Sequence, residues 1–379
     1  MRIRKITIKN LRNHTETSLD IRADLNCLYG KNGVGKTTVL ESIAICGFSK
    51  SFLPMPDASL INNGSGFFYS SVECYNDYEI PYSVDIKFEP GKRKQINATH
   101  GDNLLPKSII GELPIIVLSP DHKNITAGSP GDRRAMIDRV LSQESRIYFE
   151  EFQKLKKSLK QRNNLLMQAK KDKFYDQSFV DSLTEVMISS AAEIFLRRKK
   201  FVQEIEPIFQ TVYADVSEGK EMVSLEYLPN SLEDLIDSLN EKNEVVAAYS
   251  SIYETKRNDE LIRGTTLFGP QKDELKITVN GGLAREYASQ GQHKSLLISL
   301  KFAEFEFLRS KKNETPVVLL DDIFSELDNS RAEKVFDLVT KNKAQTFITV
   351  TDLTNIRELL PESIDCGFFR VDDGKVYPE

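Results

Sequence analysis

Short periodic stretches of apolar residues predict an α/β core. Residues 2–9 alternate between apolar and polar side chains, which is the two-residue period of a half-buried strand. Leu25–Tyr29, Pro316–Asp321 and Thr346–Thr351 are mostly apolar or β-branched, as expected for strands that are covered on both faces of a parallel sheet. Further predicted elements are strands at Phe67–Cys74, Tyr82–Phe88, Ile115–Leu118 and Leu275–Val279, and helices at Lys36–Ile45 and Ser295–Arg309.

Residues 131 to about 214 contain few Gly or Pro and predict long helices. Apolar residues recur every three or four positions from Tyr148 to Leu166, and every seven from Val180 to Ile208. With a bend at Asp172–Ser178, these helices would pair over roughly 40–50 Å. An ordinary helical lid subdomain and a short coiled-coil arm both fit this pattern. We therefore expect a split core at 1–122 and 215–379, with an inserted helical subdomain at 123–214.

Composition narrows the class of protein. The chain has 379 residues, 40% hydrophobic and 28% charged, which is ordinary for a soluble globular protein. It has no apolar run of membrane-spanning length, and its N-terminus does not resemble a secretory signal. Four scattered cysteines without a CxxC pair fit the reducing cytoplasm, and four dispersed histidines give no metal signature. We expect a cytoplasmic protein that does not insert into membranes.

Charge is distributed unevenly along the chain. Residues 123–200 contain 17 Lys and Arg against 10 Asp and Glu, a net charge of +7. Because the whole chain has a net charge of −5, the remainder has −12. This asymmetry is compatible with one basic face on an acidic body.

The clearest chemical signal is a glycine-rich loop between a predicted strand and a predicted helix. Glycines let the backbone N–H groups turn towards phosphate oxygens, and the helix that follows adds its positive end. Lys36 is expected to bind the β- and γ-phosphates and Thr37 to bind Mg²⁺, so the loop predicts an ATP site. The predicted binding residues are Gly30, Lys31, Asn32, Gly33, Val34, Gly35, Lys36, Thr37 and Thr38.

A second signal is the acidic end of the strand at Pro316–Asp321. Four apolar residues precede Asp321, which places its carboxylate at the end of a buried strand, where α/β sheets bind ligands. Asp321 is expected to hold Mg²⁺, and Asp322 is at the position of a general base that orients the attacking water. Lys36, Asp321 and Asp322 are therefore the predicted catalytic residues.

The spacing of these two signals indicates which subclass of ATP-binding proteins the chain resembles. About 285 residues separate Lys36 from Asp321, so a large insertion divides one nucleotide site. Ala288–Lys294 (ASQGQHK) resembles the signature motif of ABC-type ATPases, and Ser325–Asp328 resembles their D-loop. The segment FITVTD, ending at Asp352, occupies the switch position, but Thr351 stands where many ABC ATPases have histidine.

The ABC resemblance implies how such a site is completed. In that class the signature segment of a second subunit covers the nucleotide, and two ATP molecules lie in a symmetric dimer. Ser289, Gly291 and Gln292 would then contact the ATP that is bound at Lys36 of the partner. The resemblance thus implies an α/β fold of the ABC-type P-loop ATPase head with a mixed sheet.

Several motifs in order narrow the resemblance to the bacterial RecF family of recombination mediators. The segments are ITIKNLRNHTETSLDI near the N-terminus, GKNGVGKTTVLESI in the loop, SPGDRRAMIDRVL at 129–141, GPQKDEL at 269–275, YASQGQHKS at 287–295 and LLDDIFSELD at 319–328. Gln271 and Lys272 replace the expected His and Arg, which puts the roles of those two positions in doubt.

The RecF resemblance implies a function in DNA repair. Such proteins have heads similar to those of SMC proteins, bind ATP, and dimerise on double-stranded or gapped DNA. They help to load recombinase at single-strand gaps and stalled forks, with RecR and RecO as partners, and they support replication restart and the SOS response. Slow, weak ATP hydrolysis is expected to act as a switch.

Five groups of basic residues are candidates for DNA contacts, although most such runs are only solvated helix faces. Contacts from them would be independent of DNA sequence and sensitive to salt, and no base-reading motif is evident. The groups are Lys92–Lys94, Arg133 and Arg134, Lys154 with Lys156, Lys157 and Lys160, Lys170 with Lys171 and Lys173, and Arg197–Lys200.

Other functions stay open at this stage. The main alternative is the ATPase subunit of a membrane transporter, which usually has histidine at the switch. A structural SMC-like clamp would need much longer arms, and no further carboxylate cluster supports a nuclease. Arg12 and Asn13 follow the first strand and would line the adenine or ribose side of the site, or else serve only as a surface arginine and a loop cap.

Overall fold

The computed structural model describes residues 1–172, 176–360 and 364–379. The strands are β1 (Arg2–Leu11), β2 (His14–Asp20), β3 (Leu25–Tyr29), β4 (Phe68–Tyr75), β5 (Pro81–Phe88), β6 (Gln95–Ala98), β7 (Ile115–Leu118), β8 (Val223–Leu228), β9 (Glu274–Val279), β10 (Gly282–Leu283), β11 (Val317–Asp321), β12 (Thr346–Val350), β13 (Cys366–Asp372) and β14 (Lys375–Pro378). The helices are α1 (Lys36–Phe48), α2 (Asn124–Ala127), α3 (Pro130–Glu144), α4 (Arg146–Asp172), α5 (Gln177–Ser217), α6 (Lys242–Arg263), α7 (Ala284–Tyr287), α8 (Gln290–Lys312), α9 (Asn329–Lys341) and α10 (Thr354–Leu359).

Two compact units are present. The first comprises Met1–Lys123, Val212–Gly219 and Gln290–Glu379, and the second Asn124–Thr211 and Lys220–Ser289. Residues 220–289, which the sequence analysis assigned to the core, are in the second unit. Whether the predicted divisions 1–122 with 215–379 and 123–214 behave as independent domains stays a prediction.

A six-stranded sheet organises the first unit. Its order is β14-β13-β3-β12-β11-β7, with neighbouring strands parallel except for the antiparallel pair β13–β14. Every residue of β11 and β12 is buried, which confirms the expectation from their apolar sequences. Because β3, β11 and β12 are parallel, their carboxyl ends meet at one edge of the sheet, where ligands bind in α/β folds.

A second sheet of the first unit is antiparallel, in the order β2-β1-β4-β5-β6. Helix α1 contacts both sheets, and almost all of its residues are buried. Val39, Ile43 and Cys46 of α1 share one core with residues from β1, β4, β11 and β12. The loop before α1 is therefore anchored by a helix that is buried on nearly every face.

Helices dominate the second unit, together with the sheet β10-β9-β8. Arg162 of α4 is fully buried, and it donates to Thr184 of α5 at 2.7 Å and to Glu260 of α6 at 2.5 Å. Helix α6 was not predicted, yet it packs along α4. The long helices therefore belong to a bundle, which fits the expected lid better than a free two-helix arm.

The seven-residue repeat of α5 holds over most of its length. Val180, Met187, Ile194 and Phe201 are all buried. At Ile208 the repeat fails, because Ile208 is only half-buried while Phe209 is fully buried, two residues after the internal Pro207. The bend expected at Asp172–Ser178 includes residues 173–175, which lie outside the described residues.

The start of helix α8 fixes where the predicted signature residues lie, and Cys27 and Cys46 of the first unit are buried thiols. Helix α8 begins at Gln290 and not at Ser295, so Gly291 and Gln292 lie in its first turn and only Ser289 precedes it. In the described ranges, no helix is both long and apolar enough to cross a membrane.

Candidate nucleotide-binding site

The glycine-rich loop joins β3 to α1 in a backbone shape that requires glycine. Gly30 has a φ of +149°, and a Cβ placed on it would lie 2.3 Å from the carbonyl oxygen of Val371. Gly35 has a φ of +111° and precedes α1, whose N-terminus has no side-chain cap and no acidic residue in its first turn. The first N–H groups of α1 are therefore left available for an anion.

Lys36 lies beneath this loop. Its Nζ donates to the carbonyl oxygens of Gly30 at 2.7 Å and Lys31 at 2.9 Å, which holds the ammonium inside the curve of the loop. Burial lowers the pKa of Lys36, although the nearby Asp322 and Asp321 act in the opposite direction. A phosphate at this position would supply the negative charge that the buried ammonium favours.

Thr37 and Asp321 bring together the start of α1 and the end of β11. The Thr37 hydroxyl donates to Oδ1 of Asp321 at 2.7 Å, and the Thr349 hydroxyl of β12 donates to the same oxygen at 2.8 Å. Burial raises the pKa of Asp321, while the hydrogen bonds from Thr37 and Thr349 partly offset that effect.

These oxygens fit a magnesium ion. A hydroxyl and a carboxylate are hard oxygen donors of the kind that Mg²⁺ binds, and Thr37 Oγ1 and Asp321 Oδ1 are close enough to face one ion. A buried carboxylate whose ionisation is disfavoured also gains from a nearby divalent cation. Thr37 and Asp321 are thus chemically suited to hold the metal that the sequence analysis expected.

Asp322 directly follows the end of β11 and adopts an uncommon backbone conformation. Its φ is +49°, in the left-handed region that non-glycine residues seldom occupy. Its N–H donates to the Thr349 hydroxyl at 2.9 Å, and its carbonyl accepts a bond from the Ser325 hydroxyl at 2.8 Å. Strained residues of this kind are frequent at functional sites.

These residues line one cavity of about 540 Å³ in the first unit. A volume of this size is typical of sites for small ligands, including nucleotides. Of the predicted site residues, six from the loop and α1 line the cavity together with both aspartates. The full lining is Arg12, Asn13, Asn32, Gly33, Gly35, Lys36, Thr37, Thr38, Glu41, Leu53, Asp321, Asp322 and Thr349.

Two turns brace the glycine-rich loop. The first, between β1 and β2, presents His14, which is fully buried and has Nε2 3.0 Å from the carbonyl oxygen of Gly35. Burial lowers the pKa of His14, and the hydrogen bond to Gly35 only partly offsets this. The second turn, between β13 and β14, donates from Gly374 N–H to the carbonyl of Val34 at 2.9 Å. Neither brace was predicted, because the N-terminal motif that contains His14 gives no indication that this side chain contacts Gly35, and the β13–β14 turn has no motif.

Arg12 enters the cavity lining through an ion pair that the sequence did not reveal. It pairs with Glu41 of α1, whose carboxylate is fully buried. The Ser51 hydroxyl donates to Glu41 at 2.6 Å, so the carboxylate joins the first turn to the segment after α1. Arg12 and Asn13 line the cavity, and a position beside the adenine or ribose stays a prediction.

The predicted signature and D-loop segments meet at the start of α8. Asp328 caps α9 by accepting from the Arg331 N–H, and Arg331 Nε donates to Ser295 of α8 at 3.0 Å. A Cβ on Gly291 would lie 3.0 Å from Arg331, so glycine permits this close approach. Among the described residues of the first unit, Gly291 and Gln292 do not line the cavity, and Ser289 precedes α8 in an exposed position.

The switch segment presents Thr349, and not Thr351, to the two aspartates. Thr351 and Asp352 are exposed, and Asp352 accepts bonds from the N–H and hydroxyl of Thr354, so it caps the turn into α10. The residue of this segment that reaches the two aspartates is instead Thr349. A polar residue at a buried position of β12 was the only sequence signal for it.

Comparisons with known proteins agree with this arrangement. Residues 5–263 match the AAA domain family. The DNA replication and repair protein RecF of Chlorobium phaeovibrioides is 36% identical over 358 residues, 94% of this chain and 95% of the relative. The RecF protein of Staphylococcus epidermidis is 31% identical over 376 residues, 99% of this chain and 100% of the relative. This chain belongs to the RecF family.

Solved structures extend the comparison. A structure of the recombination mediator RecF with ATP, in the RecFOR pathway, superimposes with a TM-score of 0.89 at 25% identity, covering 100% of this chain and 97% of that one. An SMC head bound to the C-terminal winged-helix domain of ScpA gives a TM-score of 0.56 at 15% identity, covering 100% and 98%, which shows a shared fold alone. The expected fold class, an ABC-type ATPase head with a helical insertion, is confirmed, and the comparisons do not support a transporter subunit.

Within this RecF-family fold, several basic residues predicted as DNA contacts are internal. Arg133 is buried and forms a bidentate pair with Glu274, with both contacts at 2.8 Å. Arg198 is buried between Asp138 at 2.7 Å and Asp273 at 3.0 Å. The prediction that these two arginines contact DNA is therefore wrong, because both pair with carboxylates inside the second unit.

The remaining basic groups divide into engaged and exposed residues. Lys199 donates to the carbonyl oxygens of Ile236 and Leu239, and Arg134 donates to that of Asp273. Lys156, Lys157 and Lys160 of α4 are exposed. The other exposed basic residues of these groups are Lys92, Arg93, Lys154, Lys170, Lys171 and Lys200, and Lys173 lies outside the described residues.

Proposed function

We propose that this protein binds Mg-ATP in the cavity beside the glycine-rich loop and hydrolyses it slowly, as a DNA-bound switch in recombinational repair. The observation that supports this most is the meeting of Thr37, Asp321 and Thr349 at one carboxylate oxygen, next to an uncapped helix N-terminus and Lys36. The ATP-bound RecF structure adds support, because that relative has the same fold over almost its whole length.

Each residue of the site has a defined task in this proposal. The N–H groups of Gly33 to Thr38 and the Lys36 ammonium bind and orient the phosphates. Thr37 and Asp321 would hold Mg²⁺, which supplies positive charge to the phosphate oxygens when it is bound. Asp322 accepts a hydrogen bond from the attacking water and aligns it with the γ-phosphate.

We further propose that ATP joins two copies of the chain. Ser289, Gly291 and Gln292 would contact the nucleotide of the partner, where the helix N-terminus of α8 can bind phosphate. The absence of Gly291 and Gln292 from the cavity of their own unit, among the residues described, supports this arrangement. Arg331 contacts both α8 and Asp328, so it would transmit the association of the two chains from α8 to the D-loop.

DNA would bind without reading its sequence. The exposed residues Lys156, Lys157 and Lys160 offer three positive charges along one stretch of α4, suited to phosphate contacts on double-stranded or gapped DNA. In the cytoplasm the ATP-bound dimer would mark gaps and stalled forks for RecR and RecO and help recombinase to load. Replication restart and SOS induction would follow from that loading.

Nucleotide titration and single-turnover hydrolysis test the enzymatic part. Lys36→Ala is expected to weaken ATP binding at least about tenfold, because a charged hydrogen bond to phosphate is removed. Asp321→Asn should retain much of the binding but lose about 100-fold or more in hydrolysis, since a metal ligand is removed. Hydrolysis at the wild-type rate by both variants would exclude this site.

DNA binding at several salt concentrations tests the second part. Replacing Lys156, Lys157 and Lys160 by Gln should reduce the slope of log affinity against log salt by about 0.9 for each DNA phosphate that these lysines neutralise. Lys276→Gln is the matched control, because Lys276 is a partly exposed lysine of the same unit that pairs with Glu226 at 2.8 Å. An unchanged slope in the triple variant would show that these three lysines do not contact DNA and that DNA binds at another surface.

A further inference from the structure

Strand β12 places one hydroxyl group between the two aspartates of the site. Thr349 is fully buried, and its Oγ1 donates to Asp321 Oδ1 at 2.8 Å. The same oxygen accepts the backbone N–H of Asp322 at 2.9 Å. One side chain thereby contacts two consecutive residues for which the proposed function requires different tasks.

Each of these contacts restricts a conformation that the backbone of β11 does not determine by itself. Asp321 Oδ1 accepts from both Thr37 and Thr349, so the carboxylate is held from two sides and its rotation is restricted. Asp322 has left the strand with a φ of +49°, and the Thr349 hydroxyl holds its N–H in that sparsely populated conformation.

A hydroxyl is the group that this position requires. It can donate one hydrogen bond and accept another at the same time, whereas a methyl can do neither and a carboxylate could not donate. Thr346 of the same strand provides a contrast. It is also fully buried, but its hydroxyl donates to the carbonyl of Ala344 at 3.0 Å, away from the aspartates.

We propose that Thr349 is a positioning residue for ATP hydrolysis, which holds the metal-binding Asp321 and the water-orienting Asp322 in one fixed geometry. This inference rests on the proposed function of the site. It makes β12 a mechanical link, because any shift of the strand along β11 moves both carboxylates together. The role that the switch position has elsewhere would thus be taken by a residue inside the strand and not by Thr351.

The effect of removing this hydroxyl should fall on turnover and spare ATP binding. No hydrogen bond described for Thr349 involves Lys36 or the glycine-rich loop, so the phosphate contacts would remain. Removal of a hydrogen bond to a charged group, with an N–H left unpaired, corresponds to a fall in kcat of about 10- to 100-fold. The affinity for ATP should change by less than about threefold.

Three variants of the full chain test the proposal, each measured for kcat, KM and melting temperature. Thr349→Val keeps the shape and removes the hydroxyl, and it is expected to lose kcat with little change in KM. Thr349→Ser restores a hydroxyl and should remain within about threefold of wild-type kcat. Thr346→Val removes the other buried hydroxyl of β12 and serves as the control for strand stability, with kcat close to wild type.

The outcomes separate this inference from the proposed function. Wild-type kcat in Thr349→Val would overturn the positioning role, as would equal losses in Thr349→Ser and Thr349→Val. If Thr349→Val does not fold, Thr349→Cys replaces it. Because a thiol is a weak hydrogen-bond donor, the kcat of this variant should lie between that of the Ser variant and that of an inactive enzyme. Failure of the wild-type protein to bind or hydrolyse ATP would instead refute the proposed function itself.

Discussion

At the scale of single residues, the site is built around polar groups that are buried near the phosphate loop. Lys36, Asp321 and His14 are each less than a tenth exposed, and burial shifts the pKa of each towards its neutral form. The buried charges of Lys36 and Asp321 are unfavourable for the fold without a ligand, and phosphate and metal would compensate them. Stability and function are therefore opposed at Lys36 and Asp321.

His14 gives a pH-dependent test of this view. Burial lowers its pKa, so the folded protein keeps the ring neutral while the unfolded chain takes up a proton near the ordinary value of 6.5. The stability that His14 contributes is therefore present above pH 6.5 and is lost as the pH falls below it.

We expect His14→Gln to be less stable than wild type by about 1–2 kcal/mol at neutral pH, with a smaller difference at pH near 5.5. Urea denaturation at both pH values measures this difference. His100→Gln changes an exposed histidine of the same unit and is the matched control. A His14→Gln difference that is equal at both pH values would contradict the account.

At the scale of elements, the phosphate loop depends on the turn that braces it. A Cβ on Gly35 would lie 2.5 Å from His14 Nε2, whereas a Cβ on Gly33 would meet nothing within 4 Å. Both glycines have positive φ, so both substitutions introduce backbone strain. Only at Gly35 does the new methyl also collide with the neighbouring turn.

Gly35→Ala should therefore destabilise the protein more than Gly33→Ala does. We expect a loss of about 1 kcal/mol for Gly33→Ala and about 2–4 kcal/mol for Gly35→Ala, measured by chemical denaturation. Equal losses would show that the β1–β2 turn moves aside freely and does not brace the loop.

The sequence predicted those elements whose burial leaves a local pattern. Strands β3, β11 and β12 and helix α1 were expected within a few residues of their bounds, because apolar runs and the glycine motif mark them. The hairpin β13–β14 and helix α6 were not predicted, since their faces are covered by contacts distant in sequence. The same limit applies to the site, where Lys36, Thr37 and Asp321 have motifs but Glu41 and Thr349 act only through tertiary contacts.

Basic residues show this limit most clearly. Arg197 and Arg198 are adjacent and equivalent in sequence, yet Arg198 is buried with Asp138 and Asp273 while Arg197 forms a helix-surface pair with Glu193. Tyr148 and Tyr227 also bond to the aspartates around Arg198. No local pattern separates a solvated arginine from one that closes a buried network.

We expect Arg198→Met to cost about 3–5 kcal/mol, because two carboxylates would be left buried without their cation. Arg197→Met should cost much less, about 1 kcal/mol, because Arg197 is only half-buried and its pairs with Glu193 and Glu144 lie near the surface. Thermal and chemical denaturation of both variants give the comparison. Similar stabilities would show that the aspartates around Arg198 are solvated or protonated without penalty.

At the scale of the whole molecule, the central claim is that ATP converts a single chain into a dimer on DNA. Each chain supplies the glycine-rich loop with its aspartates, and the segment with Ser289, Gly291 and Gln292 would complete the site of the partner. Ser289→Ala should therefore bind ATP normally as a monomer but fail to dimerise. This property distinguishes a shared site from one that is complete within a single chain.

Sedimentation velocity tests this claim most directly, with wild type and Ser289→Ala measured without nucleotide, with Mg-ATP, and with Mg-ATP and a gapped duplex at moderate salt. We expect the wild-type chain to be a monomer that becomes a dimer with Mg-ATP and remains bound to the DNA. We expect Ser289→Ala to stay monomeric under all three conditions. A wild-type chain that binds ATP yet stays monomeric on DNA, or a Ser289→Ala variant that dimerises like wild type, would contradict this claim.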